Sequence, residues 1–346
     1  MSIETKINQI QFSKAGKYCK KIIFEGYAIN INTFDYDKPI VFTFDNMDTF
    51  RKVEDTLEVR KGWGHDFILS CGYNVCSFLE NDIYSWYRNE EFLEIVKTFS
   101  RLQLFKGFSK RISYGSSMGG YAAAAFANAL NVDDAILIHP ISTLNQTLCP
   151  WEHRFSRVGG KNWSSKYYDS AETVKNVNTT IIYDPLFEPD ALHAKRYIKA
   201  NAGKVRPVKV RGMGHGMPWH LLKLDVLKDL FVHVSQNTYE EQYKREFYTK
   251  LKEKKSYVKY YKFMISSENR YITPYRKLLL MTGYLKVLLD QYPKEADLFR
   301  ELADFVAETN PQVAMHLLER AQRLRPNGNL IKQKLNDLKT ILDHVN

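Results

Sequence analysis

Cysteine is scarce: the 346 residues hold four, Cys19, Cys71, Cys76 and Cys149, with no C-x-x-C pair and no histidine at zinc-finger spacing. Neither a disulfide framework nor a cysteine-rich zinc module can organise such a chain, and the thiols are expected to be reduced and packed. No run reaches the roughly 18 apolar residues that a membrane-crossing helix needs. The opening stretch, MSIETKINQIQFSKAGKYCKK, is broken by charge every few positions and holds no signal-peptide core. These absences lead to the expectation of a soluble, cytoplasmic protein. A Walker lysine is missing too, because GSSMGG is followed by Tyr121 and alanines, which removes nucleoside triphosphate binding from the candidates.

What is present is apolar and positively charged. Hydrophobic residues make up 44% and aromatics 14%, enough to bury a large core, and the length suggests two domains. The net charge of +11 suits an anionic partner, whether nucleic acid, acidic polysaccharide, a phosphate-bearing cofactor or a membrane surface. Much of the excess lies in EQYKREFYTKLKEKKSYVKYYKF (241–263). No nucleic-acid motif accompanies that stretch, so it reads as a solvated helix face and no specific nucleic acid is expected.

From the start to residue 236, short apolar runs alternate with helical patterns. The runs CKKIIF, YAINI and PIVFTF come early and close together; YNVCSFL, RISYG, DAILIHP, TTIIYD and PVKVRG follow, most of them separated by helices such as EEFLEIVKTFSRLQ and PWHLLKLDVLKDLFVHV. This is the signature of an α/β fold with a mostly parallel sheet covered on both faces and an antiparallel edge formed by the early strands. Residues 141–175 break the rhythm, carrying two tryptophans and no periodicity, and are expected to form a cap or lid. Residues 237–346 read as successive amphipathic helices. Their end resembles one tetratricopeptide unit, with Leu298 and Phe305 on a first helix, Ala314, Leu318 and Ala321 on a second, and Pro326 closing it.

The chemistry concentrates at RISYGSSMGGYAAAA. Gly115, Ser117 and Gly119 satisfy G-x-S-x-G between an apolar strand and a helix, the setting of a nucleophile elbow. Ser117 takes the elbow position and Ser116 is expected to point elsewhere. The N–H of Met118 then faces the place where an oxyanion would form. A serine hydroxyl needs a histidine to take its proton and a carboxylate to hold that histidine's tautomer. His215 follows the run PVKVRG in a glycine-flanked loop; His139, His193 and His220 are weaker candidates. For the acid, Asp184 at a strand end is the first choice and Asp190, at a helix start where a carboxylate commonly caps, is the alternative. A second oxyanion donor is expected at Asp45 or Asn46, and the stretches 62–67 and 81–89 are as suited to the pocket as to the core.

YGSSMGG, IIYDP and GMGHG, in the order serine, aspartate, histidine, make residues 1 to about 235 resemble an α/β-hydrolase. The GSSMGG form is similar to that of serine esterases, acyl hydrolases and some acyltransferases of the superfamily. Among these, the chain is similar to bacterial proteins associated with surface-polysaccharide biosynthesis, some of which transfer acetyl groups. The usual HGGG oxyanion motif is absent, and TFDNMD stands in its place. The resemblance implies a serine esterase or thioesterase that needs no cofactor. It equally implies a transferase with acetyl-coenzyme A as donor and an anionic glycan as acceptor. A third expectation, of another class, is a non-catalytic scaffold whose helical tail binds a protein.

Overall fold

The computed structural model describes residues 2–47, 56–82, 84–155, 158, 163, 166–185, 187–211, 213–253, 294, 296–308 and 310–345. The apolar runs form the strands β1 (Tyr18–Ile23), β2 (Tyr27–Thr33), β3 (Ile40–Phe44), β4 (Asn74–Glu80), β5 (Arg111–Ser116), β6 (Asp134–Ile138), β7 (Asn178–Tyr183) and β8 (Val205–Lys209). They make one mostly parallel sheet of an α/β fold, in the order β1-β2-β4-β3-β5-β6-β7-β8. Three residues between β1 and β2 permit only a hairpin, so this edge is antiparallel, as is β2 against β4. From β4 onward every pairing is parallel. Burial follows: β3 and β6 are buried at every position, whereas the edge strand β1 exposes Cys19 and Lys20.

The helices of this unit that accompany the sheet are α1 (Ile3–Asn8), α2 (His65–Ser70), α3 (Glu90–Leu102), α4 (Met118–Ala125), α5 (Ser170–Thr173), α6 (Glu188–Ala200), α7 (Met217–Lys223) and α8 (Leu227–Ser235). The helical pattern over 218–234 reads as one element in the sequence but forms two, because Asp225 turns left-handed (φ 54°) between α7 and α8. In a parallel sheet, ligands bind beyond the carboxyl ends of the strands. Here Phe44, Ser116, Ile138 and Tyr183 end their strands at that edge.

Helix α4 is the element on which the site depends. All eight of its residues are buried, and its glycines and alanines let the helix lie almost in contact with the sheet. A Cβ on Gly115 would collide with the Gly119 carbonyl, and one on Gly119 would sit 2.5 Å from the Phe44 carbonyl oxygen. Both neighbours are backbone, which cannot swing aside.

The chain divides into two compact units, Met1–Lys250 and Leu251–Asn346. The first runs beyond residue 236, where the sequence reading places the boundary. It takes in most of α9 (Glu241–Glu253), whose Tyr243 ring stacks on His233 at 3.7 Å and whose Tyr248 hydroxyl donates to the Lys209 carbonyl. In the second unit α10 (Ala296–Val306), α11 (Pro311–Leu324) and α12 (Asn329–Val345) share a core of Phe299, Ala303, Ala314, Leu318, Ile331 and Leu335. Leu298 and Ala321 are buried as well; the Phe305 side chain and residues 254–293, including the end of the lysine-rich stretch, lie outside the described residues. Among the described residues no helix is long and apolar enough to cross a membrane.

The close approach of α4 sets a steric expectation. Gly115→Ala and Gly119→Ala should each lower the unfolding free energy by about 3 kcal/mol. Gly26→Ala, with φ +81° but nothing within 4 Å of the added carbon, should lose only about 1 kcal/mol. Urea unfolding of the three variants checks this, and equal losses would remove the steric argument.

Candidate active site

Strand β5 ends at Ser116, and the next residue turns the chain. Ser117 has φ 54° and ψ −116°, a strained conformation for a residue with a side chain, held by its N–H donating to the Ile138 carbonyl at 3.1 Å and its own carbonyl accepting from Tyr121. The turn projects the Ser117 hydroxyl into a cleft of about 730 Å³. Its Oγ lies 2.8 Å from His215 Nε2. As the first residue of α4, Met118 has an N–H with no acceptor inside the helix.

His215 sits in the 3-10 turn Gly214–Gly216 after β8. Two aspartates secure it in different ways. Asp184, the first choice from the sequence, accepts a hydrogen bond from the Gly214 N–H at 2.9 Å and so holds the loop. The carboxylate hydrogen-bonded to His215 is instead Asp190, whose Oδ1 and Oδ2 lie 3.0 and 2.9 Å from Nδ1. Asp190 is in the first turn of α6, but Phe187 occupies the N-cap position and the Asp190 side chain is fully buried against the imidazole. Nδ1 facing a carboxylate carries the ring proton, which leaves Nε2 free to accept from Ser117.

The segment 141–175 reaches this cluster from the other side. Arg154 Nη1 is 2.9 Å from Asp190 Oδ1 and 3.1 Å from His215 Nδ1. The rest of its guanidinium is engaged with Glu152, which also accepts from His193 Nε2 at 3.0 Å. His193 Nδ1 in turn accepts from the Ser142 N–H at 3.1 Å. Burial works against the charge on Asp190, but His215, His139 and Arg154 outweigh it and hold the carboxyl down to about 2. Glu152 follows the same logic: burial is overcome by hydrogen bonds and charge from His193 and Arg154, again to about 2. Neither Arg154 nor Glu152 is visible from the sequence as a site residue; the only signal is their place in an aperiodic, tryptophan-bearing segment.

His139, at the end of β6, packs its ring 4.2 Å from that of His215 and lies 3.2 Å from the Ser116 hydroxyl through Nε2. Burial, reinforced by His215, pushes it down to about 3, so it is neutral. Ser116 therefore lines the same cleft but is engaged with His139. His220 lies on α7 with its ring against Trp219. Donor atoms of His139, Asp190 and His215 fall within 4.8 Å of one another. The guanidinium already resting on Asp190 disfavours a second cation there, and hydrogen bonds account for the cluster.

Of the two positions weighed for a second oxyanion donor, Asp45 is otherwise committed. Its N–H donates to the Phe78 carbonyl, and its buried carboxylate pairs with Arg60 at 2.5 Å and accepts from the Trp63 N–H. Asn46 lines the cleft. The two aromatic stretches also separate: Trp63 and Phe67 face the cleft with Tyr114, whereas Trp86 and Tyr87 are fully buried core.

No protein-family model and no curated protein matches the chain. Solved structures do match in fold. The capsule O-acetyltransferase of Neisseria meningitidis serogroup A is 16% identical with a TM-score of 0.45, over 63% of this chain and 94% of that one. A hyperthermophilic esterase from Pyrobaculum calidifontis is 16% identical at TM-score 0.41, over 65% and 83%. The fluorophosphonate-binding serine hydrolase F of Staphylococcus aureus is 12% identical at 0.39, over 60% and 96%.

Buried neutral histidines give the fold a pH dependence. Burial holds His139 at about 3 and His65 at about 4. In the unfolded chain both take up a proton below about pH 6.5. Stability present above that pH is therefore lost progressively as pH falls towards the folded values, and Asp190 adds about 2 kcal/mol of loss below about pH 4. Urea midpoints that stay flat from about pH 7 to about 4.5 would contradict this.

Proposed function

We propose that the chain is a serine-dependent acyl hydrolase, an esterase or thioesterase, in which Ser117 is the nucleophile, His215 the general base and then acid, and Asp190 the carboxylate that orients it. The observation carrying this reading is the unbroken line from the Ser117 hydroxyl, 2.8 Å from His215 Nε2, to the Asp190 carboxylate, 2.9 Å from Nδ1. Ser117 attacks the substrate carbonyl as its proton passes to Nε2. The tetrahedral oxyanion is held by the Met118 N–H, with Asn46 offering the second donor. Collapse expels the alcohol or thiol, which takes the proton from His215, and leaves the acyl group on Ser117. A water then repeats the sequence, its proton moving through His215, and the carboxylic acid departs. Asp184 acts at one remove by fixing Gly214 and the loop that carries His215. Hydrolysis needs no cofactor.

The second half-reaction distinguishes this reading from its rivals. In a transferase, an acceptor hydroxyl replaces water, with acetyl-coenzyme A as donor and an anionic glycan as acceptor. In a scaffold, neither step occurs and the second unit binds a protein partner.

A fluorophosphonate probe should label the wild type and Ser116→Ala, and labelling should vanish in Ser117→Ala. Asp190→Asn should lower ester hydrolysis by about 10³- to 10⁴-fold, because the ring loses its tautomer. Asp184→Asn, which keeps an oxygen for Gly214, should lose less. Mass spectrometry after incubation with acetyl-coenzyme A and acidic glycans would overturn hydrolysis in favour of transfer if acetylated glycan formed without free acetate. A folded wild type inert to both probe and esters would favour the scaffold.

A further inference from the structure

Among the groups around the site, Arg154 has a position that the proposed reaction does not use. It belongs to the aperiodic segment 141–175, yet its Nη1 lies 2.9 Å from Asp190 Oδ1 and 3.1 Å from His215 Nδ1. The guanidinium is gripped from behind: Nε donates to both Glu152 oxygens at 3.0 and 3.1 Å and Nη2 donates to Oε2 at 2.5 Å. Glu152 is itself fixed by the Arg154 N–H at 2.9 Å and by His193 Nε2 at 3.0 Å. The Phe155 and Phe187 rings flank the cation at 5.4 and 5.3 Å. A fork held at so many points presents one N–H to Asp190 in one direction. Next to it in sequence, Phe155 lines the cleft.

We propose that Arg154 is a positioning residue for Asp190: it holds the carboxylate against His215 Nδ1 and so makes the readiness of Ser117 depend on the Glu152–Arg154 pair. The proposal rests on the reading of Ser117, His215 and Asp190 given above. Three consequences follow from the geometry. Arg154 meets Asp190 and the Nδ1 edge of His215 and is not among the residues lining the cleft, so it acts through the pair and not on substrate. Glu152 keeps the guanidinium from overcompensating Asp190, since two carboxylates share one cation. Substrate packing against Phe155 presses on the residue adjacent to Arg154.

The titratable and charged groups facing the Asp190–His215 pair are Arg154 and Glu152 from the segment, His139 from the end of β6, His193 from α6 and the Ser117 hydroxyl from the elbow. Arg154 is the one cation among them and one of the causes that hold the Asp190 carboxyl low. Without it the pair takes up a proton more readily, and the reaction fails at a higher pH.

The test compares wild type, Arg154→Met, Arg154→Lys and Asp190→Asn as full-length chains by two readouts. The first is the rate of fluorophosphonate labelling against pH. Arg154→Met should lower the plateau about tenfold and move the half-plateau pH up by about one unit. Arg154→Lys should restore the pH position but not the plateau, because it returns the charge without the fork. The second is the far-downfield proton resonance of His215 Nδ1–H, assigned by its loss in Asp190→Asn. It should persist in Arg154→Lys and broaden away by exchange in Arg154→Met. A folded Arg154→Met with the wild-type labelling profile and an unchanged resonance would overturn the proposal. Should Arg154→Met not fold, a wild-type plateau in Arg154→Lys would overturn it instead. A wild type that never labels but whose resonance depends on Arg154 as stated would defeat the catalytic reading and leave the positioning role supported.

Discussion

The contact between the start of α4 and the ends of β3 and β5 is the constraint on which the site rests. A helix can come within backbone distance of a strand only if the facing positions lack side chains, and Gly115 and Gly119 are those positions. Once helix and strand are that close, the connecting residue has no relaxed conformation available, and Ser117 takes φ 54° and ψ −116°. Such strain costs of order 1–3 kcal/mol and persists only where surrounding structure over-determines it. The Ile138 carbonyl on the Ser117 N–H and the buried alanine face of α4 provide that determination. The same turn that brings the Ser117 hydroxyl to the cleft makes Met118 the first residue of α4.

The second organising feature is electrostatic. Asp190, Glu152 and His193 are fully buried, and charges removed from water are tolerated only when paired and hydrogen-bonded. Arg154 supplies the pairing for both carboxylates, and His193 supplies the remaining donor to Glu152. A long segment without periodicity can therefore be ordered where it meets the site. Arg196 does similar work further along α6, donating to Ser142 and pairing with Asp169.

What the sequence made legible divides along the same line. The sheet and its antiparallel edge could be read because they depend on a local pattern of apolar runs; the glycine-flanked Ser117 and His215, singled out by equally local pattern, are hydrogen-bonded to each other. The acid could not be settled. A carboxylate in the first turn of a helix looks the same whether it complements the helix dipole or faces an imidazole, and only tertiary packing turned Asp190 inward and put Asp184 on Gly214. The break at Asp225 escaped for a related reason, since the apolar spacing of 218–234 continues across it while the backbone does not. Arg154 was beyond reach altogether: its partners are 2, 36 and 61 residues away, and no period connects them.

That distant arginine raises a question of charge that the geometry answers. A cation beside an imidazole opposes its protonation. Here the opposition is limited, because two buried carboxylates, Asp190 and Glu152, share the one guanidinium, and His139 and His193 are held neutral by burial. Arg154 is among the causes that hold the Asp190 carboxyl low, and its Nη1 lies 2.9 Å from Oδ1. Removing Glu152 from this balance would leave Asp190 as the one carboxylate paired with Arg154 among the described residues.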